Sequence, residues 1–246
     1  MTAQRNVASD LLDLNAEVCR RLWHMAGVGT SPAALAPHLI YPSCGSKDRR
    51  VSEQEARFAF AELLTTSPYY YSVETPTDEK HRRTGTRTRS AMSDMSLYLP
   101  ADSGLRKVVN VELKGRNPAP DDVAWDVKKI VLERRDGTDV CGNWFGLLES
   151  AKWATFRSLF GKFRNAFSGL AEQGGVVDTT GLSLVVCFCV LGRSAETGWA
   201  CQRHLQFADP IPLTACCDAF GDIVSSEDLK QQLSDAGWTV LCGGTP

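Results

Sequence analysis

Long hydrophobic runs are missing from this chain. The longest, Leu182–Leu191 (LSLVVCFCVL), falls far short of the roughly 20 apolar residues that a bilayer-spanning helix needs. The first residues, MTAQRNVASDLLDLNAEV, carry acidic and polar side chains where a secretory signal would carry an apolar stretch. No membrane partner is expected, and a cytoplasmic protein is. A surplus of charge is missing too, since 27 Lys and Arg face 29 Asp and Glu for a formal net charge of -2. No global positive field draws the chain onto nucleic acid, so any such contact must come from a local basic segment. None of the nine cysteines (19, 44, 141, 187, 189, 201, 216, 217 and 242) forms a C-x-x-C pair, which argues against a zinc site. They read as free thiols in a reducing compartment, with Cys187 and Cys189 two apart on one side of an apolar strand. His24, His38, His81 and His204 show no H-x-H or H-E-x-x-H spacing, and no G-x-x-x-x-G-K-[ST] loop is present. Any ATP-driven motor activity would have to come from a partner.

What is present is an ordinary globular composition, with 43% hydrophobic and 23% charged residues in a chain of 246. Leu11, Leu14, Val18, Leu22 and Met25 recur at three and four, predicting a helix over Ala8–Ala26. After a Pro/Gly-rich stretch, Ser52 and Glu55 have the spacing of a capping box, opening a helix that ends before Pro68. Tyr69–Glu74, Met92–Leu99 and Val108–Lys114 read as strands. Helices are expected over Asp121–Arg134 and Glu149–Phe167, the second with a core stripe of Trp153, Phe156, Leu159, Phe160 and Phe163. Leu182–Leu191 is a buried strand, and a short helix (Glu227–Ala236) and strand (Trp238–Cys242) follow. The order implies an α/β fold with a mixed sheet in one domain. Residues 1–51 form an N-terminal extension and 193–246 a C-terminal elaboration.

Side chains alternate across a strand. In VVNVELK, Val109, Val111 and Leu113 share one face, while Asn110, Glu112 and Lys114 share the other. In MSDMSLYL, Met95, Leu97 and Leu99 lie opposite Asp94, Ser96 and Tyr98. If the two strands pair, Asp94 and Glu112 meet on the same side of the sheet. Two adjacent carboxylates repel unless a cation separates them, and hard oxygen ligands suit Mg²⁺ or Mn²⁺. Lys114 points the same way, where an ammonium can orient or help deprotonate water and offset phosphate charge. The set suits metal-assisted phosphodiester hydrolysis.

Asp94 in SDMSLYL, with Glu112 and Lys114 in VNVELKG, resembles the PD-(D/E)xK nucleases, a superfamily that includes restriction endonucleases. The resemblance covers roughly residues 52–192 and implies a restriction-endonuclease-like core of order αβββαβ. It implies a metal held by Asp94, Glu112 and the backbone carbonyl of Leu113, with Lys114 at the nucleophile. Many members add a glutamate from the first helix, which makes Glu55 the favoured upstream acid, with Glu53 and then Glu74 behind it. Ser93 stands where the family name has proline. The activity implied is Mg²⁺-dependent hydrolysis of DNA, in restriction, anti-phage defence or mobile-element processing, with a homodimer or partner subunit compatible. The alternative is a catalytically silent nucleic-acid-binding scaffold. Between the first two strands, KHRRTGTRTR places Arg82, Arg83, Arg87 and Arg89 on a hairpin suited to phosphate contacts, which Arg116 would extend. Asp126, Lys128 and Lys129 are polar positions on the following helix near this set, where relatives sometimes place a basic residue beside the scissile phosphate, and a solvated helix face is at least as good a reading.

Overall fold

The computed structural model describes residues 5–27, 39, 41, 43–44, 48–49, 51–81, 89–133, 140–149, 152–172, 181–192, 197–206 and 227–243. In chain order the elements are α1 (Val7–Gly27), β1 (Ser43–Cys44), β2 (Asp48–Arg49), α2 (Glu53–Leu64), β3 (Tyr70–His81), β4 (Arg89–Ala101) and β5 (Gly104–Gly115). Then come α3 (Pro120–Leu132), β6 (Cys141–Leu148), α4 (Trp153–Glu172), β7 (Ser183–Val190), β8 (Trp199–Gln206), α5 (Leu229–Asp235) and β9 (Thr239–Cys242). Strands β3 to β9 form a seven-stranded mixed sheet in sequence order. The pairs β5–β6 and β6–β7 are parallel, linked through α3 and α4, and the other pairs are antiparallel. The protein is therefore mixed α/β.

Each face of the sheet has its own core. On one, α1 and α2 bring Leu11, Leu22 and Phe60 against Met95, Leu97, Val111, Leu113 and Phe145. On the other, α3 and α4 bring Val127, Ile130, Phe156 and Phe163 against Trp144 and Phe188. The aromatic stripe of α4 is thus core packing, with each fully buried ring contributing roughly 1.5–3 kcal/mol. Polar contacts set the register of α1. Asn15 and Asn143, both wholly buried, exchange side-chain amide hydrogen bonds at 2.9 and 3.0 Å, and Trp23 Nε1 donates to the Val190 carbonyl at 3.1 Å. No helix among the described residues is long and apolar enough to cross a membrane. Cys19, Cys141, Cys187, Cys189 and Cys201 are buried free thiols, while Cys242 is exposed.

The capping box forms as the spacing predicts. Two strands of the main sheet, however, were not expected, nor was the short β1–β2 pair. β6 (CGNWFGLL) carries two glycines that weaken its strand pattern, and β8 falls in the supposed C-terminal elaboration. The strand after the crossover helix is therefore β6, one strand before Leu182–Leu191. The first hairpin is also longer than the sequence suggests, because β3 and β4 continue through Thr77 and Ala91, where Thr77 Oγ1 accepts the Ala91 amide at 2.9 Å. Lys80, His81 and Arg89 thus belong to strands rather than to a loop.

The β6 glycines have a steric reason. A methyl group at Gly142 would collide with Cγ2 of Ile130 and lie 3.1 Å from Leu184 Cδ1, so α3 rests directly on the β6 backbone there. Gly142→Ala should force α3 outward and lower stability by about 1–3 kcal/mol, measured by urea unfolding. An unchanged midpoint would show that α3 is not seated on this strand.

Candidate functional site

β4 and β5 pair up to Met95↔Val111, and beyond that β4 keeps only β3 as its partner. The two strands therefore part at Asp94 and Glu112. Leu113, past the end of the ladder, still has a backbone amide to satisfy, and Asp94 Oδ2 accepts it at 2.7 Å. The fork thus brings together the residues singled out from the sequence. Asp94 sits at its mouth, Glu112 is wholly buried beneath it, and Lys114 Nζ donates to the Leu113 carbonyl at 3.2 Å.

Helix α3 closes the fork from one side. Lys129 Nζ pairs with Glu112 Oε2, lies 3.3 Å from Asp126 Oδ1 and donates to the Met92 carbonyl at 3.0 Å. It thereby ties β4 to β5 where their own ladder has ended. Asp126 Oδ2 stands 2.9 Å from Lys114 Nζ. Asp126 and Lys129 are buried, at 1% and 5% exposure, so this is not a solvated helix face. Their apolar neighbours Val123, Val127 and Ile130 place them on the inner side of α3, a signal present in the sequence and left unused.

Helix α2 closes the other side. Glu53, rather than Glu55, reaches the fork, where its Oε1 accepts the Gly115 amide at 3.3 Å and lies 3.9 Å from Lys114 Nζ. Glu55 is occupied elsewhere, its Oε2 accepting the Ser52 amide and hydroxyl, both at 2.7 Å. The cap uses that carboxylate and the structure does not bring it to Asp94. Arg57, absent from the sequence reading, is the other addition. Its Nη2 stands 3.2 Å from Asp94 Oδ1 and 2.9 Å from Glu74 Oε1. Glu74 reaches it through a left-handed backbone (φ 49°) inside β3. Arg116 is also left-handed (φ 65°), and its Nε donates to the Val51 carbonyl at 3.1 Å, tying down the end of β5. Arg82, Arg83 and Arg87 lie outside the described residues, and of Arg89 the structure describes only its backbone pairing with His81.

Glu53, Glu74, Asp94, Glu112 and Asp126 face three cations, Arg57, Lys114 and Lys129. Fully ionised, the cluster carries an excess of two negative charges. Burial, together with repulsion from Asp126 and Asp94, pushes the Glu112 carboxyl well above the usual carboxylate range despite Lys129. Asp126 and Glu53 are also raised, each chiefly by burial. Burial acts in the opposite sense on the lysines. The pull of Asp126 on Lys114, and of Glu112 on Lys129, outweighs it and holds both above the usual lysine range. Glu112 Oε1 is buried with no hydrogen-bond partner among the described residues. An unpartnered carboxylate oxygen in a region short of two positive charges suits a divalent cation. No group of three or more His, Cys, Asp or Glu side chains placed to hold a metal occurs among the described residues. An ion at the fork would therefore have no more than two of these side chains as ligands, and Asp94 and Glu112 are the pair that meets there.

Comparison with protein-family models, curated proteins and solved structures finds no match for this chain. What the site does must be argued from its own residues.

Removing Lys129 would leave Glu112 and Asp126 buried without their nearest shared cation. Lys129→Met should lower stability by about 3–5 kcal/mol in metal-free buffer, and adding Glu112→Gln should recover part of that loss. Denaturant unfolding of the three proteins checks both. A neutral Lys129→Met would mean that Glu112 is not charged in the folded state.

Proposed function

We propose that this chain is a divalent-metal-dependent nuclease of the PD-(D/E)xK kind, hydrolysing phosphodiester bonds of DNA. One observation carries the reading: Asp94, Glu112, the Leu113 carbonyl and Lys114 share the fork, and one Glu112 oxygen is buried there with no hydrogen-bond partner among the described residues. The succession α2–β3–β4–β5–α3–β6 supports a restriction-endonuclease-like core, because it has the αβββαβ order of that family. The family's range suggests a role in restriction, anti-phage defence or mobile-element processing.

Mg²⁺ or Mn²⁺, held by Asp94, Glu112 and the Leu113 carbonyl, would supply Lewis acidity at the phosphate and a water of lowered pKa. The chain's own groups do the rest. The Leu113 amide fixes the orientation of Asp94. Lys129 and Asp126 hold Glu112 in place below it. Lys114, kept protonated by Asp126 against the effect of burial, is a donor at neutral pH and not a base. Its part is to orient the attacking water or a phosphate oxygen and to offset developing negative charge. Glu53, through Lys114 and the Gly115 amide, positions that lysine. The basic segment around Arg82, Arg83, Arg87 and Arg89 supplies positive charge for phosphate contacts.

The competing reading is a nucleic-acid-binding scaffold with a silent site. It draws on the same cluster, since Arg57 and Lys129 already pair with Asp94 and Glu112. Incubation of plasmid and single-stranded DNA with Mg²⁺ or Mn²⁺ separates the two. The wild type should cut, and Lys114→Ala and Asp94→Asn should each cut at least about a hundredfold more slowly. DNA binding without cutting at either metal would favour the scaffold, and cutting that survives both substitutions would place the active site elsewhere.

A further inference from the structure

We propose that Arg57 is a second phosphate-binding residue of this site, beside Lys114, kept on Asp94 and Glu74 until a divalent ion replaces it at Asp94. The inference rests on the nuclease reading and deepens it. A guanidinium offers five N–H donors in a planar fork that matches a carboxylate or phosphate two bonds at a time. Arg57 is not used that way. Its Nη2 alone serves both carboxylates, at 2.9 Å to Glu74 and 3.2 Å to Asp94, and its Nε is buried without a hydrogen-bond partner among the described residues. Nor is the guanidinium needed to seat α2, which Ala56, Ala59 and Phe60 already anchor in the core.

Its two partners differ in a telling way. Asp94 also holds the Leu113 amide at 2.7 Å, so it stays at the fork whether or not Arg57 remains. Glu74 is 54% exposed and reaches Arg57 through a left-handed backbone inside a strand. Such a conformation at a non-glycine residue persists where the surroundings demand it, commonly at functional sites. Lys114 and Lys129 are committed to Asp126 and Glu112, at 2.9 Å for Lys114, and are more deeply enclosed. Glu74 is the most exposed acid of the cluster, ahead of Glu53 at 36%, so Arg57 is the cation held by the most open partner. A divalent ion outcompetes a monovalent guanidinium for Asp94. Glu74 then retains Arg57 beside the ion with its fork unfilled, and a phosphodiester oxygen pair is the natural acceptor.

The test uses the full chain and two affinities expected to move in opposite directions. Arg57→Ala removes a competitor from Asp94, so Mn²⁺ binding without nucleic acid, followed calorimetrically, should tighten several-fold. Binding of a fluorescein-labelled oligonucleotide in Ca²⁺ should weaken about tenfold, and its log–log salt slope should fall by about one. In EDTA, where Arg57 stays on Asp94, variant and wild type should bind the oligonucleotide alike. Arg57→Lys, which keeps the charge without the fork, covers the case in which the alanine variant fails to fold. It should hold Mn²⁺ about as the wild type does and still bind the oligonucleotide more weakly in Ca²⁺. A joint loss of Mn²⁺ and oligonucleotide affinity would make Arg57 a structural prop and overturn the proposal. So would an unchanged salt slope in Ca²⁺, or an equal loss in EDTA. If the wild type cuts DNA and Arg57→Ala binds it undiminished, only the role of Arg57 falls. A wild type that binds neither Mn²⁺ nor oligonucleotide removes the nuclease reading and this proposal together.

Discussion

A carboxylate with no access to water must be neutralised, paired or protonated, and Glu112 imposes that constraint at the middle of the sheet. Much of the surrounding architecture follows from it. Lys129 has to come from α3 to meet Glu112, so α3 must lie close over β5 and β6. That closeness requires a strand without a side chain where Ile130 lands, and Gly142 provides it. Asp126, one turn before Lys129, then passes the charge on to Lys114. β4 leaves β5 just here, and the amide it abandons is taken up by Asp94. Fork, helix and charge cluster are thus parts of one arrangement.

Such a cluster is a poor way to gain stability. Apolar residues of similar volume would often serve as well or better, because desolvating charges offsets most of their mutual attraction. Glu112 raised well above its usual range, an oxygen without a hydrogen bond among the described residues and two left-handed non-glycine residues at the borders all point the same way. Features of this kind gather at sites kept for chemistry rather than for folding. A divalent ion would relieve them together, by supplying the missing charge and a partner for the unpaired oxygen.

Much of this was legible in the sequence, for identifiable reasons. The alternation in MSDMSLYL and VVNVELK showed which residues share a face, and antiparallel pairing up to Met95↔Val111 leaves Asp94 and Glu112 together where the strands part. Ser52 and Glu55 announced the start of α2. What was not legible depended on contacts distant along the chain. The capping-box spacing already gave Glu55 a structural use, but that Glu53 overhangs Gly115 appears only once α2 is seated against the end of β5. β6 hid behind its glycines, whose purpose appears only once Ile130 and the Trp144 ring lie against them. Asp126 and Lys129 looked like surface because burying both signs of charge on one helix makes sense only with Glu112 and Lys114 beneath. Arg57 carried no motif at all, and on α2 it meets Glu74 only through the unusual backbone of that residue in β3.

The central claim is that this charge cluster is completed by a divalent ion. Crystals of the protein soaked in Mn²⁺, with anomalous diffraction recorded at the manganese edge, address it directly. The account predicts a peak bounded by Asp94, Glu112 and the Leu113 carbonyl, with Arg57 no longer on Asp94. Crystals saturated with Mn²⁺ that show no peak there, with Arg57 and Lys129 still paired to the two carboxylates, would contradict it.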